Sequence, residues 1–573
     1  MQAIEDFGEL MEDLFRCSVT RVSSFFRKGH LIMSDQEFTT TREVERIKAG
    51  HRLPSDPPII KILLYADDPN GIRPGNDTSD LATMIAHLYA HQPAFARFEV
   101  KWLSRNSKSD YKLNPEMLKL YDEIWFFGIH QLNNEPDAPE SELTEPEVRA
   151  LTDWMTIDEM KELKGGGVLM TGDHADARPK GTPGQNPLCP DSSNENLLCL
   201  GRALGRCVPR AGLMRKWEGP PTTNPKEDRF NTQTPVTGHD PAGGELQTDR
   251  FPMLLLLSRF DASGNPSSTG AAHPLFFYPQ GTFIQIFPDH VHEGAVIIPE
   301  SFDEKVWPKG KFVWPKPQVV ARGLDHQNAT VGNILAAYDG DPASVGRVVA
   351  DSTWHHYLNE NLENFRPGTP VGSDADQIGQ FYGNLALWLA PFDKRRQMAH
   401  VMFAWLASRL SVREELGMAM DDNYVPGAEQ IARIGRAAYS ALLRVASPCE
   451  VHELLSASLP PEYREHFERV YLPETGVALS LFPSKEETLG FIINSYQRAI
   501  INSADVDPEE RFSTIEASIW EGFRRAFQSH VNRLNQFASE VSNYHNLGFN
   551  EGKEKRNGKL PEHYFSNPDV EDR

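Results

Sequence analysis

The sequence predicts an α/β protein built on a mostly parallel, doubly wound sheet, followed by a mostly helical C-terminal region. Three observations carry that expectation. Short, nearly continuous apolar runs such as IIKILLYADD and DEIWFFGIH stop abruptly at polar residues, as strands buried on both faces do. Helix-like segments separate these runs at a spacing of roughly 40 residues, the rhythm of βαβ units. From about residue 396 onward, apolar residues recur at helical rather than strand spacing.

Taken in order, residues 1–54 read as a helical N-terminal extension. Their opening, MQAIEDFGELMEDLF, is acidic and amphipathic and lacks the basic stretch of a signal peptide. An α/β domain is expected over 55–395. Its first strand, IIKILLYADD, ends at Asp67 and Asp68, and a helix is expected from Leu81 to Tyr89. ARFEVKWL reads as the second strand, residues 115–121 as a short helical piece, and DEIWFFGIH as a third strand ending at Gly128 and His130. LTEPEVRALTDWM carries a helix start: Thr144 as cap, Pro146 in the first turn and Glu147 three residues on, as in a capping box. KGGGVLMTGDHAD then supplies a fourth strand. Its glycines, Gly165 to Gly167, precede the strand and match no phosphate-binding pattern, so they read as the end of the helix and a turn.

Residues 177–250, rich in Pro, Gly, Asn and Thr, read as a loop insertion. HPLFFYPQGTFIQIFPDHVHEGAVIIP alternates like paired strands, GRVVADSTWHHY ends a last strand at Asp351, and IGQFYGNLALWLA closes the domain as a helix. Over 396–548, IARIGRAAYSALLRVA sets Ile431, Ile434, Ala438, Leu442 and Val445 on one helical stripe. TLGFIINSYQRAI and IEASIWEGFRRAF repeat that periodicity, and 549–573 reads as a mobile polar tail.

At 573 residues the chain exceeds one ordinary core. A formal charge of −22 disfavours phosphate backbones and anionic lipid, so no nucleic-acid partner is expected. Five cysteines, an odd number without zinc-finger spacing, argue against a disulfide framework. The longest apolar runs, such as Met253 to Leu257, fall far short of the ~20 residues a bilayer span needs. The expectation is a cytoplasmic protein without a membrane partner.

In open parallel sheets ligands bind outside the carboxyl ends of the strands. Polar residues recur there: Asp67 and Asp68, His130, Asp173, His174 and Asp176, then Asp289, His290, His292 and Glu293, then Asp351, His355 and His356. Any one of these histidines alone reads as structural; the recurrence at one edge is the signal. Three chemistries follow. A nucleophile elbow would fall at Thr171-Gly172-Asp173-His174, which holds neither Ser nor Cys. Metal-assisted hydrolysis would draw on Asp176, His292 and Glu293 to hold a divalent transition metal such as Zn. Metal-free acid–base work would use a His–Asp pair, such as His174 or His290 oriented by Asp351. Asp173, His174, His290 and His356 are the candidate catalytic residues; Asp67, Asp68, His130, Asp351 and His355 would orient them or bind substrate.

The GGGVLMTGDHAD strand, with the preceding YDEIWFFG strand and LTEPEVRALTDWMTIDEMKELKGGG helix, resembles the class I glutamine amidotransferase-like superfamily, particularly its ThuA-like branch. The resemblance covers roughly residues 57–395 and implies a flavodoxin-like sheet with the site at the glycine-preceded strand. The family's nucleophilic Cys is missing from this elbow and His174 arrives about two positions late, so glutaminase activity is not expected. The resulting expectation is a hydrolase-like enzyme for a small polar molecule. The alternative is a catalytically inactive sensor or assembly module, with the C-terminal helices as a surface for a protein partner or a second copy.

Overall fold

The computed structural model describes residues 57–67, 80–105, 112–127, 145–158, 163–171, 214–216, 252–260, 271–278, 282–288, 295–297, 309–310, 314–325, 330–417, 426–459, 483–502 and 508–555, with the single positions 75, 266 and 268. The N-terminal extension, almost all of the 177–250 insertion and the end of the polar tail lie outside them.

Among the described residues nine strands form one sheet: β1 (Ile59–Asp67), β2 (Arg97–Arg105), β3 (Glu123–Phe127), β4 (Gly167–Met170), β5 (Met253–Leu257), β6 (Ile286–Phe287), β7 (Gln318–Asp325), β8 (Thr330–Tyr338) and β9 (Val348–Asp351). Their order is β6-β5-β7-β8-β9-β4-β3-β1-β2. The run β2-β1-β3-β4-β9 is parallel, and the run from β9 through β8, β7 and β5 to β6 is antiparallel. The sheet is therefore mixed where a mostly parallel one was expected. The cause is local: β7 and β8 are joined across residues 326–329, too short for a crossover.

The apolar runs behave as their composition dictates. Ile60, Ile62, Leu63, Leu64, Tyr65 and Ala66 of β1 are all fully buried, and every residue of β3, β4 and β9 is buried. In the antiparallel half β5 alternates, with Met253 and Leu255 buried and Leu254 and Leu256 exposed.

Helices cover both faces of the parallel half. On one face Leu63, Tyr65, Ile124, Phe126, Val168, Met170, Val348 and Ala350 pack with Leu118 of α2 (Pro115–Leu118) and Leu151, Trp154 and Met155 of α3 (Glu145–Met155). On the other lie α1 (Ala82–Ala90) and α4 (Asp374–Leu389). Glu147 is buried, and its Oε1 accepts the Leu113 N–H at 2.9 Å, tying α3 to the α2 turn, while the expected cap Thr144 lies outside the described residues. One local reading needs correction: the glycines do not end α3, because a short hairpin (Ile157–Asp158 with Leu163–Lys164) intervenes. Gly167 is instead a close approach, since a Cβ there would stand 2.1 Å from the Leu389 carbonyl oxygen.

The described residues of the C-terminal region are mostly helical, as expected: α5 (Phe392–Ser408), α6 (Leu410–Gly417), α7 (Ala428–Leu442), α8 (Pro448–Ala457), α9 (Lys485–Asn502) and α10 (Pro508–Lys555). Ile431, Ile434, Ala438 and Leu442 are buried on α7, whereas Val445 lies past its end and is exposed. Helix α10 extends into the stretch read as a polar tail. Among the described residues no helix is long and apolar enough to cross a membrane.

Beside the amino end of β9, Arg347 and Arg395 are buried in one ionic network. The Arg347 guanidinium meets Glu453 at 2.6 Å and Asp339 at 3.0 Å, and Arg395 meets Glu453 at 3.2 Å and also Asp341. Sharing the Glu453 carboxylate ties α5 and α8 to the sheet.

Candidate functional site

At the opposite, carboxyl edge, the register sets Phe126, Met170 and Ala350 abreast, so the next residues, Phe127, Thr171 and Asp351, end neighbouring strands. The Thr171 hydroxyl donates to the Phe126 carbonyl at 2.7 Å, so the only hydroxyl at the predicted elbow is committed to the backbone of the adjacent strand.

Asp351 is the centre of the described site. The chain leaves β9 through Ser352 and Thr353 and enters a 3-10 turn, His355–Tyr357. Asp351 Oδ1 accepts the Thr353 N–H at 3.2 Å, an Asx turn, and the Thr353 hydroxyl accepts the His355 N–H at 3.2 Å. These bonds swing the turn back over the strand end. There His356 Nδ1 lies 2.8 Å from Asp351 Oδ1, and the Tyr357 hydroxyl donates to Oδ2 at 2.9 Å. The side chains of both Asp351 and His356 are fully buried.

The surroundings hold this arrangement still. Phe287, at the end of β6, sets its ring edge-on to His356 with centroids 4.6 Å apart. Tyr382 of α4 donates its hydroxyl to the His356 carbonyl and packs against Tyr357 with ring centroids 5.5 Å apart. Phe127 closes on Tyr357 at 5.4 Å. Burial first, and the Asp351 charge second, push both tyrosine hydroxyls well above the usual phenol range, so they remain donors. An ionised carboxylate only accepts, so the short contact places the His356 proton on Nδ1 and makes Nε2 the basic nitrogen.

The adjacent histidine goes elsewhere: His355 Nδ1 lies 2.8 Å from Glu360 Oε1, and the ring stays partly exposed. Asp67 closes β1 at the same edge. Asp68, His130, Asp173, His174, Asp176, His290, His292 and Glu293 lie outside the described residues. Among the described residues no three His, Cys, Asp or Glu side chains are grouped to hold a metal ion. Asp351 thus pairs with His356, a contact local in sequence; the expected partners His174 and His290 lie outside the described residues.

A second polar cluster escaped the sequence reading. His91, just past α1, sets Nε2 3.2 Å from Asp376 Oδ1, and Asp376 Oδ2 accepts the Tyr278 hydroxyl and the Gly372 N–H. Burial alone would raise the Asp376 pKa, but the bonds from Tyr278, Gly372 and His91 outweigh it and hold it below the usual range. Burial and the bond to Asp376 push the Tyr278 hydroxyl up to about 12. His87 connects this cluster to the first, its ring lying 5.8 Å from His91 and 5.9 Å from Tyr382. Asp376 is the third residue of a Ser373-capped helix, where an acidic residue is ordinary, so nothing local announces its long-range partners. Compared with known proteins, the chain matches no family model, no curated protein and no solved structure.

Proposed function

We propose that the carboxyl edge of the parallel strands is the active site of a hydrolase-like enzyme for a small polar substrate, with His356 as general base and Asp351 as its orienting carboxylate. The observation that carries this is the buried 2.8 Å contact between His356 Nδ1 and Asp351 at the end of β9. It is the base-and-orienter half of a catalytic arrangement, at the sheet edge where such folds bind ligands. The parallel strand order β2-β1-β3-β4-β9 supports a flavodoxin-like core. The amidotransferase-like resemblance is part of this proposal; in sequence, Asp173 and His174 follow β4 and His290 follows β6. Asp176, His292 and Glu293 are the proposed ligands if a divalent metal supplies the nucleophilic water. A cytoplasmic location fits this reading.

A rival reading rests on two observations: His356 is fully buried, and the Thr171 hydroxyl is engaged. In that reading the edge is a structural or ligand-sensing remnant and the C-terminal helices contact a partner. The separating experiment assays the full chain on a panel of nitrophenyl esters, carboxamides and phosphate esters, beside His356→Ala and a metal analysis of tag-free protein. Turnover that falls at least 100-fold in His356→Ala supports the enzyme, on the scale of a lost general base. Turnover equal in both proteins, or none on any substrate class, supports the rival.

A further inference from the structure

The Asp351 carboxylate is shared. Oδ1 takes the Thr353 N–H and His356 Nδ1, while Oδ2 takes the Tyr357 hydroxyl. A donor on one oxygen of a carboxylate draws charge away from the other, so what Tyr357 receives is withdrawn from the imidazole. The Tyr357 ring is clamped by Phe127, Trp125 and Tyr382, which fixes its hydroxyl on Oδ2. Nothing in that clamp requires a hydroxyl: a phenylalanine ring would fill the same space.

We infer that Tyr357 is a positioning residue that sets the basicity of His356 by competing with it for the Asp351 carboxylate. The inference rests on the reading of this edge as an active site and deepens it by naming the group that tunes its base. Among the described residues, the titratable groups around His356 are Asp351 on β9, His355 and Tyr357 on its own turn with Glu360 beyond His355, and Tyr382 on α4, which holds the His356 backbone carbonyl. Of these, only Tyr357 shares the carboxylate with the imidazole by a side-chain bond. Removing its hydroxyl leaves the carboxylate charge to His356 and raises the imidazole pKa; a stronger phenolic donor lowers it.

The test is nitrogen NMR of the full chain labelled with 15N-histidine, in wild type, Tyr357→Phe and a variant carrying 3-fluorotyrosine at position 357. The wild type is expected to show His356 protonated on Nδ1. Tyr357→Phe is expected to raise its titration midpoint by about one pH unit, and the fluorinated ring to lower it. If neither change moves the midpoint, if both move it the same way, or if His356 titrates in none of the three proteins, the inference is overturned while the Asp351 contact stands. A wild-type proton on Nε2 instead overturns the site reading itself, and is read before any variant is made. Should Tyr357→Phe fail to fold, the sign of the fluorotyrosine shift decides alone.

Discussion

Acidification should weaken this protein through His87, among other buried histidines. Its ring is fully buried, Nε2 is bonded to the Phe365 carbonyl, and Nδ1 has no hydrogen-bond partner among the described residues. That nitrogen faces Gly379, where even a Cβ would stand 2.5 Å away. Burial foremost, and the neighbouring His91, lower the His87 pKa from 6.5 to about 4 despite the favourable bond to Phe365. The folded state therefore holds His87 neutral while the unfolded chain takes up its proton near pH 6.5. Its contribution is fully present above that pH and is lost as pH falls toward 4, a total of about 3 kcal/mol. Urea unfolding of the wild type and of His87→Gln, whose amide can still donate to Phe365, should be followed from pH 7.5 to 4.5. The variant is expected to lose less stability over that range by about 2 kcal/mol. Parallel curves for the two proteins would refute the reasoning, as would a directly measured His87 pKa near 6.5.

Other outcomes follow from the same structure. Glu453→Ala should destabilise by about 3–5 kcal/mol, because it removes the carboxylate shared by two buried guanidinium groups; denaturant midpoints check this. Gly167→Ala should cost about 1–3 kcal/mol, since its Cβ would press on the rigid Leu389 carbonyl, while Gly417→Ala, with nothing nearby, should cost little; paired thermal melts compare them. Phe287→Ala should cost about 3–5 kcal/mol through its lost contacts with His356 and Phe381, read by urea unfolding, and should loosen His356 enough to broaden its NMR signals.

The parallel half of the fold is legible in the sequence because a strand buried on both faces needs a nearly continuous apolar run, and β1 and β3 have one, interrupted only by Lys61 within β1 and opened by Glu123 in β3. The antiparallel half is less so: β6 is two residues long and owes its pairing to β5, more than 30 positions earlier, which no local pattern announces. At the site, the strand-end rule found both Asp351 and His356 but not their partnership. An extended reading of DSTWHHY points the two residues apart, and only the Asx turn at Thr353 folds the segment back. Tyr357 and Tyr382 carry no sequence mark of a polar role, because an aromatic ring amid apolar residues looks like core, which these rings also are. His91 and Asp376 stand 285 residues apart, and their meeting is a property of the packing of α1 on α4.

The orienting role of Asp351 is tested most directly by kcat for Asp351→Asn on whichever panel substrate the wild type turns over. An asparagine keeps the shape but can present an N–H to His356 Nδ1, favouring the wrong tautomer. A loss of about 1,000- to 10,000-fold with little change in KM is expected. A variant that folds and keeps a rate within about tenfold of wild type would contradict the assignment of His356 as a carboxylate-oriented base.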